Sequence, residues 1–97
     1  IGVMSSEKRR YIEQRRGLFW SVGDEKLDQI SDELLVENIL NYGTLEDVRE
    51  LISLMGLQQV ALLFSKTYKN RPRNNYFPQV ANFFDIYFSR HVPEYPL

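Results

Sequence analysis

Between Ser31 and Tyr68 the apolar residues recur every three or four positions, and the run is broken at Gly43 and Gly56. That spacing gathers apolar side chains on one face of a helix. No stretch of useful length alternates as a half-buried strand would. Three helices follow from it. The first runs from about Ser31 to Tyr42, with Ser31 as its N-cap and Asp32 and Glu33 where the helix dipole favours acids. Leu35, Val36, Ile39 and Leu40 form its buried stripe, and Gly43 is expected as a left-handed C-cap. Thr44 caps the second helix, with Asp47 in the capping-box position more often held by Glu or Gln. Its apolar face is Leu45, Val48, Leu51, Ile52 and Met55, and Gly56 ends it. The third runs from about Leu57 to Tyr68. Leu57, Val60, Ala61, Phe64 and Tyr68 lie on one side, and Leu62 and Leu63 widen that side, so it should be the most buried.

A fourth helix is predicted beyond the loop Asn70-Arg71-Pro72-Arg73-Asn74-Asn75. Pro78 suits its first turn, and Val80, Phe83, Phe84, Tyr87 and Phe88 should face inward as far as about Arg90. Pro93 and Pro96 prevent any continuation. Upstream, Glu7 to Arg16 has good helix formers, but its apolar residues are only Tyr11 and Ile12, so a helix there would hold on weakly. Leu18-Phe19-Trp20 is expected to anchor it, and Ser21 to Gln29 reads as a polar turn region around Gly23-Asp24. The expected fold is all-α: a compact bundle of four short helices behind a basic N-terminal arm, helical or frayed. The arm is placed at 1–17, the helical domain at 18–90 and a C-terminal tail at 91–97. Met4-Ser5-Ser6 reads as a natural start, with residues 1–3 an addition or an upstream beginning.

The chain's 97 residues suffice for one modest core. They include no cysteine, which removes disulfides, thiolate zinc sites and cysteine nucleophiles and fits a reducing compartment. No apolar run is long enough for a bilayer and the N-terminus is charged rather than signal-like, so the expected location is cytoplasmic, with no membrane partner. Net charge is −1, but the charge is segregated along the chain. Lys8, Arg9, Arg10, Arg15 and Arg16 come first. An acidic middle follows, from Asp24 to Glu50. Lys66, Lys69, Arg71, Arg73 and Arg90 come last.

Catalytic signals are weak. His91 is the only histidine, and the plain reading of it is a residue near the end of the last helix. There is no G-x-S-x-G elbow and no glycine-rich phosphate loop. A calcium loop begun at Asp24 fails, because Lys26 falls at its third position and Gln29 where its glycine belongs. No cofactor or metal is expected, and the chain is not expected to be an enzyme. Two binding readings remain. The acids Asp24, Glu25, Asp28, Glu46, Asp47 and Glu50 could meet a basic protein surface. Alternatively Arg9, Arg10, Lys66, Lys69, Arg71 and Arg73, with Tyr76 and Phe77 nearby, could contact nucleic acid. In that DNA-binding alternative, Thr44–Tyr68 would act as a helix-turn-helix and present Gln58, Gln59, Ser65 and Lys66. A homodimer could form through an exposed edge at Tyr76, Phe77 or Tyr95.

Several of these features occur together in a known pattern. Leu18-Phe19-Trp20, the spacer with Leu27-Asp28, the Tyr42-Gly43 helix end, Thr44-Leu45-Glu46-Asp47-Val48 and Asn82-Phe83-Phe84-Asp85-Ile86-Tyr87-Phe88 resemble a family of small bacterial and archaeal helical proteins of unknown function. Phe84 stands where that family often has tryptophan, and the resemblance spans about Leu18 to Phe88. Genes of that family often lie beside abortive-infection-type nucleotidyltransferase toxins. The resemblance therefore implies a non-catalytic, antitoxin-like or regulatory protein with a protein partner, such as a toxin. The matching residues are mostly core and cap positions, which speak to fold more than to function.

Overall fold

A computed structural model describes residues 5–71 and 73–96. The start reading at residues 1–4, and Pro72 of the loop, lie outside the described residues. The order of elements is α1 (Ser6–Gln14), a 3₁₀ turn (Arg16–Phe19), a second 3₁₀ segment (Asp24–Gln29), α2 (Asp32–Tyr42), α3 (Leu45–Met55), α4 (Leu57–Tyr68) and α5 (Pro78–His91). The described residues contain no strand, and none of their helices is long and apolar enough to cross a membrane. The fold is all-α, a helical bundle as expected.

The local stops and starts act where the sequence puts them. Ser31 Oγ accepts from Leu34 N at 3.1 Å. Thr44 Oγ1 accepts from Asp47 N at 3.1 Å, while Thr44 N donates to Asp47 Oδ2 at 2.8 Å, which closes the capping box. Gly56 takes φ 92°, a conformation that side-chain-bearing residues rarely adopt. It lets α3 end and α4 begin without a linker. Gly43 differs from expectation: its φ is −80°, extended rather than left-handed. The capping box draws the chain straight into α3, so no left-handed residue is needed there.

α2 packs against both α3 and α4. The core is centred on Phe64, whose ring lies 5.0 Å from Tyr76, 5.2 Å from Tyr68 and 5.4 Å from Phe88. The inward side of α5 is Ala81, Phe84 and Phe88. Phe83, expected inside, is exposed, and so is Leu45 at the start of α3.

The N-terminal segment is less of an arm than its sequence suggests. Tyr11 and Ile12 are both buried in the main core. Tyr11 Oη donates to the Asp47 carbonyl at 2.6 Å, which fixes α1 to α3. Burial raises the Tyr11 phenol above its usual range. The described part of the C-terminal segment also packs back. Val92 and Tyr95 are buried, and Tyr95 Oη donates to Asp85 Oδ1 at 2.6 Å.

Candidate interaction surface

The basic and acidic segments meet each other. Lys8 Nζ lies 2.7 Å from Asp32 Oδ1 and donates to the Ile30 carbonyl at 2.7 Å. Arg9 pairs with Asp28 and with Glu13, and the Asp28 carboxylate strengthens its hold on its proton. Arg16 pairs with Asp24 at 2.9 Å. Arg15 is the most enclosed of these cations. It meets Asp47 Oδ1 at 2.8 Å, pairs with Glu50, and sits 3.9 Å from the centre of the Tyr11 ring. Hydrogen bonding from the Thr44 backbone, then from Arg15, holds the Asp47 carboxyl below the ordinary carboxylate range.

Four of the six acids expected to face a partner are therefore occupied within the chain: Asp24, Asp28, Asp47 and Glu50. Glu25 and Glu46 are exposed. The six cations expected to contact nucleic acid divide evenly. Arg9 is paired as above, Lys69 pairs with Asp85 at 3.2 Å and Arg71 with Glu37 at 3.7 Å. Arg10, Lys66 and Arg73 are exposed. Ser65, expected on the outer face of α4, is buried. Tyr76 and Tyr95, offered as a dimer edge, are buried too, while Phe77 is exposed. Burial raises both phenols above their usual range. The His91 ring lies 4.5 Å from the Tyr87 ring, tilted by 42°.

The feature that sequence reasoning missed is aromatic. Phe19 is fully buried, but its neighbour Trp20 is 60% exposed, Tyr42 40% and Phe77 44%. Their rings touch: Trp20 meets Tyr42 edge-on at 4.6 Å, and Tyr42 meets Phe77 edge-on at 5.4 Å. Three separate chain segments thus contribute to one cluster.

Each segment is held in place by polar groups beneath it. Arg16 Nη1 donates to the Phe19 carbonyl at 2.7 Å and Nη2 to the Val22 carbonyl at 2.6 Å, so one guanidinium clamps the turn on both sides of Trp20. Asn38 Nδ2 donates to the Leu18 carbonyl at 3.0 Å. Asn41 serves the other segment: its Nδ2 donates to the Asn75 carbonyl at 2.9 Å, and its Oδ1 accepts from Phe77 N at 3.1 Å. The buried Glu37 accepts from Asn75 Nδ2 at 3.0 Å. Residues 37, 38 and 41 of α2 therefore position the two ends of the cluster, and α2 itself supplies Tyr42 between them. The signal available in the sequence was Glu37 and Asn38 set among the apolar residues Leu34 to Leu40 of α2, and Asn41 near its end.

No family model, no curated protein and no solved structure matches the chain.

Proposed function

We propose that this protein is a non-catalytic binding protein of the antitoxin-like, regulatory kind that its sequence resembles, acting in the cytoplasm. We place its partner-binding surface at Trp20, Tyr42 and Phe77 rather than on its acidic residues. The observation that carries the reading is the exposed, mutually packed and hydrogen-bond-braced ring cluster. Tyrosine, tryptophan and phenylalanine are enriched where proteins bind proteins, and a few such anchors supply most of the binding energy. A cluster fixed before binding loses little side-chain freedom on contact. The acids do not favour themselves as the primary surface, because most already neutralise cations of the same chain. The rings also favour a protein over single-stranded nucleic acid. They pack edge to face against one another, whereas base stacking uses free ring faces along a cationic groove.

The test is co-expression with the product of each neighbouring gene. The wild-type chain should co-elute with one of them. Trp20→Ala should weaken that complex by about 30-fold, the effect of losing an anchor worth about 2 kcal/mol, with an unchanged far-ultraviolet dichroism spectrum. Failure of every neighbouring product to bind, or full binding by a Trp20→Ala, Tyr42→Ala double variant, would overturn the proposal. A gel shift at low salt that is weakened by neutralising Arg71 and Arg73 would support the DNA-binding alternative instead.

A further inference from the structure

The outward side of α5 is a second surface, running on from the helix start where Phe77 joins the ring cluster. Gln79, Phe83, Ile86 and Arg90 are all exposed, and Phe83 and Ile86 remain 51% and 45% accessible. Their spacings of four, three and four residues place them in one line along the helix, the spacing of a coiled-coil seam. Across a shallow groove from Phe83 lies exposed Leu45 of α3. The side chains of α5 that face the core, Phe84 and Phe88, are already occupied there. Phe83 touches only Phe84 and Tyr87 among the rings of its own helix, and it and Ile86 remain half exposed.

The order of residues along this line is what identifies its partner. It reads amide, apolar, apolar, guanidinium. Asp85, the one acid of α5, points elsewhere and is held by Lys69 and Tyr95. A two-fold axis crossing the line midway between Phe83 and Ile86 sets each Phe83 against Ile86 of the other copy. The same axis sets each Gln79 against the other copy's Arg90. The Gln79 side-chain carbonyl can then accept from that guanidinium. The two Arg90 side chains stand at opposite ends of the seam, about 16 Å apart at 1.5 Å per residue. That exceeds the screening length of about 8 Å at physiological ionic strength. Parallel pairing would instead set Arg90 on Arg90 and Gln79 on Gln79. The line is thus complementary to its own inverted copy, which is the requirement for a two-fold interface.

We infer that α5 is a homodimerisation helix, pairing antiparallel with α5 of a second copy through Gln79, Phe83, Ile86 and Arg90. A standard interface covers about 800 Å² per partner, about an eighth of the 6214 Å² that this chain exposes. A seam of one helix face flanked by Leu45 belongs to the small, weak class of interfaces, with a dissociation constant on the order of micromolar.

The chain has no cysteine, so introduced thiols report the pairing directly. The wild-type mass in sedimentation should rise with concentration from 11.5 kDa toward twice that value. Phe83→Glu should remain monomeric with an unchanged dichroism spectrum. Gln79→Glu, which sets a carboxylate opposite Arg90, should tighten the dimer about tenfold. Under mild oxidation, Gln79→Cys mixed with Arg90→Cys should give a cross-linked heterodimer, while neither variant cross-links with itself. A wild type that stays monomeric up to about 1 mM, a dimer that survives Phe83→Glu, or self-cross-linking of Gln79→Cys would each overturn the inference. Trp20→Ala should leave the dimer intact, so this test and that of the partner surface fail independently.

Discussion

Phe19 and Trp20 are neighbours with opposite roles. Phe19 ends the 3₁₀ turn and Trp20 caps it in right-handed helical conformation, so the two side chains leave the turn about 100–120° apart. Only one of two neighbours can enter the core. Phe19 does so, and Trp20 lies at the surface against Tyr42. Three large apolar residues in a row require that something there be buried, but do not say which one. The stabilities of two variants should separate them. Phe19→Ala empties a filled core position and should cost about 3–5 kcal/mol in denaturant unfolding. Trp20→Ala loses one edge-to-face contact and should cost about 1 kcal/mol or less. Equal losses would mean that Trp20 is a core residue, and the surface assigned to it would have to be abandoned. The same contrast governs Asn38 and Glu37. Their burial could not be read from the chain, because their partners, the Leu18 carbonyl and Asn75, come from distant segments.

At the level of elements, the boundaries of α2 to α5 were legible because caps are local. Ser31, the Thr44–Asp47 box, Gly56 and Pro78 each act within a few residues of themselves. The inward face of α5 was not legible, since apolar residues occur on nearly every side of it and a helix buries only one side. α1 was underestimated for the converse reason. Its narrow apolar stripe is helped by ion pairs and by the Tyr11–Asp47 hydrogen bond, which periodicity does not reveal. Gly56 gives the element-level test. A Cβ added there would meet nothing within 4 Å, so any cost of Gly56→Ala comes from its positive φ alone. That cost should be about 1–3 kcal/mol in thermal or denaturant unfolding. Gly17 is equally open and has no positive φ. Gly17→Ala should be neutral or stabilising by up to about 1 kcal/mol. If Gly56→Ala proved as harmless as Gly17→Ala, the α3–α4 corner would not depend on that conformation.

Across the whole molecule, charge that is divided along the chain is matched in space. Residues 8–16 and 24–50 look like two opposed surfaces when read in order, yet folding lays one over the other. The proposed partner surface is therefore the exposed rings rather than the acids. The acids became part of what holds α1 down, with Asp47 joining α1, the Thr44 cap and Arg15. Its titration tests this arrangement. The folded-state pKa of Asp47 lies below its unfolded value of about 3.9, so the folded state favours the ionised form. The resulting stability is fully present above about pH 4 and is lost as pH falls through the lowered folded value. Asp47→Asn should thus cost about 1 kcal/mol at neutral pH, the size of a helix-cap contribution. The gap between variant and wild type should narrow steadily below about pH 4. Urea unfolding of both proteins between neutral pH and about pH 3 measures it. A gap as wide at about pH 3 as at neutrality would show that the carboxylate charge does not secure the α1–α3 junction. The Tyr11 hydrogen bond to the Asp47 carbonyl and the burial of Tyr11 and Ile12 would then have to hold the junction without the ion pair.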